Sequence, residues 1–117
     1  MNPQQVSLIS FEKAVTESID EVLSTLGENV KQAVYSYLEN RYRMRKDQIP
    51  SMIEEFTDAI ESLFGDAANL VKLQIIEKVQ GKMKGFCYKS KSKEIFLVEY
   101  LSALQKHLDL QEKLNNA

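Results

Sequence analysis

Two side chains here have the chemistry of a nucleophile and a base, Cys87 and His107, and each is the sole residue of its type. A working thiol–imidazole pair has to sit within hydrogen-bond reach. Their surroundings do not argue for it: Cys87 stands between Phe86 and Tyr88, where a thiol reads as a small buried hydrophobe, and His107 falls on a leucine-rich stretch beside Lys106 and near Asp109. One histidine and one cysteine also leave no zinc or dithiol motif. A lone thiol without a disulfide partner fits a reducing compartment.

Carboxylates come next. Glu54, Asp58 and Glu61, spaced four and three apart, share one helical face and resemble half of a carboxylate metal site. The Glu-x-x-His partner such a site needs is missing, so a solvated helix face is the reading. Glu17, Asp20 and Glu21 are read in the same way, and Gly27, Gly65, Gly81 and Gly85 never assemble a phosphate-binding loop. No catalytic residue, metal or cofactor is expected, and the chain reads as non-enzymatic.

Charge layout is the one pattern above background. Residues 41–46 carry Arg41, Arg43, Arg45 and Lys46 around Tyr42 and Met44, and residues 78–93 carry Lys78, Lys82, Lys84, Lys89, Lys91 and Lys93. Acidic stretches flank both blocks. If the two blocks converge, they form a groove for phosphates, with binding that weakens steeply as salt rises. If they meet acidic helix faces, within the fold or across a homo-oligomer, they are structural. The second reading is favoured, because the net charge of −2 gives no global pull toward nucleic acid or an anionic membrane.

The elements that position these groups are helices. A chain of 117 residues, 44% hydrophobic and 27% charged, is the size and composition of one globular domain. Its two prolines and four glycines lie outside the strongly periodic runs. Residues 1–9 read as a loose arm and Ser10 as an N-cap. Phe11, Val15, Ile19, Val22 and Leu26 make the apolar stripe of a first helix over 11–26, stopped by Gly27 in a left-handed C′ position. The short link at Gly27 and Glu28 predicts an αα hairpin with a second helix carrying Val30, Ala33, Val34, Tyr37 and Leu38, with Tyr35 and Tyr42 on a neighbouring strip; it fades near residues 45–47.

Pro50 and a Ser51/Glu54 capping box open a third helix, whose stripe is Ile53, Phe56, Ile60, Leu63 and Phe64. Gly65 ends it and Asp66 caps a fourth, apolar on more than one side through Leu70, Val71, Leu73, Ile75, Ile76 and Val79, hence central. Residues 81–93 read as an irregular basic loop. A last helix from about Glu94 presents Leu97, Tyr100, Leu101, Leu104 and Leu108, before a tail that frays over 115–117. Its first turns are apolar nearly all round. Such a surface either joins two copies in a homodimer or closes the core of its own bundle.

The order of these boundaries carries a resemblance. Leu26-Gly27-Glu28-Asn29-Val30-Lys31-Gln32-Ala33-Val34-Tyr35, then Leu38-Glu39-Asn40, then Lys46-Asp47-Gln48-Ile49-Pro50, then Phe56 and Ala59-Ile60-Glu61-Ser62-Leu63-Phe64-Gly65-Asp66-Ala67-Ala68 resemble the archaeal Nitrosopumilus output domain family, fifth type, over about residues 11–80. The resemblance implies an archaeal source, a mostly helical fold and a signalling or regulatory context. It brings no activity and no binding residues, and it implies a module that meets its input as a separate protein.

The expectation is thus an all-α, single-domain bundle of four to five helices, cytoplasmic, acting through a protein partner, possible self-association included. The alternative is a nucleic-acid-binding transcriptional regulator using the two basic blocks. No apolar run reaches the ~20 residues of a membrane span, and residues 1–10 lack the pattern of a signal peptide.

Overall fold

The chain folds as an all-α bundle. The computed structural model describes residues 3–83 and 97–116, with side chains over 11–83, 97–110 and 113. Among them are α1 (Pro3–Leu26), α2 (Glu28–Tyr42), a 3-10 turn (Lys46–Ser51), α3 (Ile53–Phe64), a short 3-10 turn (Gly65–Ala67), α4 (Ala68–Lys82) and α5 (Leu97–Asn116). The irregular loop expected over 81–93 lies outside the described residues from position 84 onward, as does a start of the last helix at Glu94. Both α1 and α3 pack against α2, α4 and α5, and α4 also meets α5. One apolar core runs through all five helices.

α1 is longer than its apolar stripe predicts. It begins at Pro3 rather than after Ser10, so the loose arm and the Ser10 cap are replaced by continuous helix. Proline is tolerated in a first turn, where its missing N–H has no intrahelical partner anyway, and no breaker stands between Pro3 and Leu26. Val15, Ile19, Val22 and Leu23 are buried as the periodicity predicts. Gly27 stops the helix at φ 121, ψ 147, a region that a Cβ excludes. Its carbonyl then accepts from Lys31 N–H to open α2.

α2 ends at an unexpected residue. Arg43, not a glycine, takes the left-handed conformation (φ 53, ψ 38), and its N–H closes the cap on the Glu39 carbonyl at 2.9 Å. The turn drives Met44 inward, to 1% exposure, while Arg43 and Arg45 stay outside. Gln48 then holds the 3-10 turn: its side-chain oxygen accepts from Arg45 N–H at 2.8 Å, and its own N–H donates to the Arg45 carbonyl. Ile49 anchors that turn in the core.

The Ser51/Glu54 capping box does not form. Met52 stands at the N-cap of α3, and the Ser51 hydroxyl donates back to the Gln48 carbonyl at 2.9 Å. Residues Pro50 and Ser51 are taken up by the 3-10 turn, whose last carbonyls need donors of their own. α3 buries Phe56, Ala59 and Ile60. Asp66 lies inside the second 3-10 turn, and α4 starts without a side-chain cap. α4 is touched on three sides but buries one row, Ala68, Val71, Lys72, Ile75 and Val79, leaving Leu70 exposed. It also runs through Gly81 to Lys82.

Candidate functional site

α1 and α2 are antiparallel neighbours, and their polar edge sets the register. Lys31 Nζ donates to Ser24 Oγ at 3.3 Å, and one turn further along α2 the Tyr35 hydroxyl donates to Asp20 Oδ1 at 2.9 Å. After the Arg43 cap the chain returns along α1, which brings Lys46 Nζ within 2.9 Å of the same Asp20 oxygen and 5.0 Å from the centre of the Tyr35 ring. Lys31 approaches the other oxygen at 3.8 Å. Three elements thus meet at one carboxylate.

The electrostatics follow from that geometry. The Lys46 hydrogen bond holds the Asp20 carboxyl below its ordinary value; partial burial opposes this, and Tyr35 and Lys31 add to it. Burial, then the hydrogen bond to Asp20, pushes the Tyr35 hydroxyl well above the phenol range, so it remains a proton donor.

The next residue of α1 repeats the arrangement from another side. Lys82, near the end of α4, places Nζ 2.9 and 3.2 Å from the two Glu21 oxygens. Consecutive helical residues point about 100° apart, so Asp20 and Glu21 occupy adjacent flanks of α1. One lysine of each basic block is therefore held by α1. Lys72 is only 5% exposed and is paired with Glu61 at 3.1 Å. Lys78 is exposed. Lys84, Lys89, Lys91 and Lys93 lie outside the described residues, as does Cys87.

Arg41 and Arg43 differ from these. Both are exposed, and neither makes an ion pair among the described residues, whereas Arg45 Nε meets Asp47 at 3.3 Å. Arg41 stands one helical turn after Tyr37, and the Tyr37 and Tyr42 rings pack edge to face, 6.4 Å apart at 64°. The aromatic pair of α2 is thus Tyr37 with Tyr42; Tyr35 is engaged by Asp20 and Lys46 instead. Two exposed arginines, two half-buried tyrosines and the buried Met44 fall together in the last turns of α2 and its cap, and this stretch is termed the corner.

The remaining candidate groups lie on α3 and α5. Leu97, Tyr100, Leu101 and Leu104 are buried in the chain's own core, and Leu108 packs against it. Of the two uses open to the α5 surface, closure of the bundle is the one observed, and the dimer reading loses its exposed patch. Glu54, Asp58 and Glu61 are exposed on α3, and among the described residues no group of three potential ligands could hold a metal ion. His107 is half-exposed on α5. An open groove of about 450 Å³ runs between the start of α3 and α5, floored by Phe11, Ile53 and Leu101 and rimmed by Glu54 and Lys106.

Sequence reasoning missed the Asp20–Tyr35–Lys46 cluster. Its only signal is that Asp20 and Glu21 interrupt the edge of the α1 stripe with two acids in succession. No helix of the described residues is long and apolar enough to cross a membrane. The class that the fold defines is an all-α bundle with a basic, tyrosine-bearing corner. Comparison with protein-family models, with curated proteins and with solved structures found no match to the chain.

Proposed function

We propose that this is a non-enzymatic helical module that works through protein contact in signalling or regulation, in an archaeal cytoplasm. The regulatory and archaeal context rests on the likeness of its helix boundaries to the output-domain family. The observation that supports protein contact is the division of the basic residues: Lys46 and Lys82 are held by Asp20 and Glu21 of α1, and Arg41 and Arg43 stay exposed in a compact corner with Tyr37 and Tyr42. Arginine and tyrosine are the residues that dominate protein-interface energetics. A phosphate-tracking groove instead needs a run of uncommitted cations.

The test is reconstitution. A partner captured from the source cells is purified and its binding to the full chain measured, beside binding to a generic DNA duplex, over a range of salt. Saturable binding to the purified partner, with no duplex binding at low salt, supports the reading. Duplex binding that falls with salt, and is lost in Arg43→Glu/Arg45→Glu, supports the nucleic-acid regulator instead.

A further inference from the structure

We infer that the corner at the end of α2 is a docking site for an acidic protein segment, with Arg43 as its central contact; this rests on the protein-contact reading and names the partner's chemistry. Arg43 occupies a left-handed cap position that glycine fills at least steric cost. An arginine there is locally unfavourable, and its side chain gains nothing in return from its own fold: it is exposed and unpaired among the described residues. The cap bonds to Glu39 and Leu38 hold the backbone in this conformation, but they would serve glycine equally well, so the choice of a charged side chain points toward an external contact.

The corner is also built to hold still. Met44 is locked in the core immediately after Arg43, and Gln48 brackets Arg45 through both backbone groups. The edge-to-face Tyr37 and Tyr42 pair supplies rigid amphipathic area beside the arginines. Guanidinium forks match carboxylates bidentately, so two arginines suffice for a short Asp/Glu-rich segment. A polyphosphate is a poorer fit. The next cations along the chain, Arg45 and Lys46, lie beside Asp47 and Asp20, so a phosphate backbone continuing past the two arginines would meet cations whose charge is already partly neutralised.

The test is a titration of the full-length ¹⁵N-labelled chain followed by NMR. The probes are a short Asp/Glu-rich peptide bearing one aromatic residue, its Asn/Gln counterpart, and a single-stranded oligonucleotide of equal charge. The acidic peptide is expected to shift the Arg41 and Arg43 amides and Arg Nε signals. Arg43→Gly keeps the cap geometry and is expected to weaken binding about tenfold, the effect of losing a charge-assisted pair; Arg43→Lys falls between. The inference is overturned by an acidic peptide that leaves the corner unshifted, by equal shifts from the neutral peptide, or by tighter binding of the oligonucleotide there. A purified partner whose binding is indifferent to Arg43→Gly also overturns it, yet leaves the protein-contact function standing.

Discussion

Lys46 and Asp20 are joined at 2.9 Å across a turn whose fully buried anchors are Met44 and Ile49. The lysine reaches its carboxylate by passing beside the Tyr35 ring, and the tyrosine donates to the same oxygen. The contact fixes the return of the chain along α1, and with it the base of the arginine corner.

Removing the charge tests that role. Asp20→Asn is expected to lower stability by about 1 kcal/mol, the scale of a partly exposed pair reinforced by hydrogen bonds, read as a lower urea midpoint at unchanged slope. Combined with Lys46→Met it should cost less than the two changes summed, because each alone already breaks the contact. Strict additivity would show the two groups to be energetically independent.

Acid should act through the same carboxyl. The Asp20 pKa is lowered in the folded chain from its ordinary value of 3.8, so the unfolded chain takes up a proton first as pH falls. The stabilisation is fully present above the unfolded value and is lost as pH drops through the folded one. Urea midpoints of the native chain and Asp20→Asn are expected to differ by a constant amount from neutrality to about pH 5 and to converge in stronger acid. A gap that closes near pH 6 would place its source elsewhere.

Base acts with the opposite sign on Tyr35. Its hydroxyl is raised above the ordinary 10.0, so the folded chain keeps a proton that the unfolded chain releases, and stability declines as pH rises beyond that value. Tyr35→Phe is expected to lose less stability than the native chain between about pH 9 and 11, measured by denaturant titration at each pH.

At position 43 the expectation inverts the usual cost of mutation. Arg43→Gly relieves the left-handed backbone and should raise stability by about 0.5–1 kcal/mol, net of the extra freedom glycine gives the unfolded chain. For a domain of this size that is a melting point higher by roughly 2–4 °C. Arg43→Val, β-branched, is expected to lower it.

Leu104 tests the closure of the core by α5. With the side chain fully buried, Leu104→Ala is expected to cost about 2–5 kcal/mol as a cavity, while light scattering over a wide concentration range shows no change in mass attributable to it.

Much of the fold could be read from the chain because its helices are bounded by strong local signals. Gly27 and Gly65 stop α1 and α3 where the apolar periodicity ends, and Phe56 and Ile60 are buried as their spacing predicts. Local sequence is ambiguous where two local solutions compete. Ser51 can cap α3 or bond back into the 3-10 turn, and the backbone demands of that turn prevail. Leu70 and Val71 are equally apolar, and only the direction of packing decides that Leu70 is left exposed.

The site was less legible, for a geometric reason. The exposed arginines are visible as a block, but which cations stay free depends on contacts between residues far apart in the chain, such as Lys82 with Glu21 and Lys46 with Asp20. No window of local sequence contains both members of either pair. Similarly, Arg43 as a left-handed cap cannot be inferred from a residue type that seldom takes that conformation.

The burial of Met44 has a consequence for proteases. Residues 41–46 hold four of the bonds that trypsin favours, the densest cluster in the described chain. A protease needs an extended stretch of chain on either side of the scissile bond, and here that stretch includes a methionine packed in the core and a cap bonded to α2. Cutting requires the corner to open with the core rather than fray alone. The run richest in cleavage sites is thus expected to be among the last cut in the native protein, and a nick there would report global unfolding.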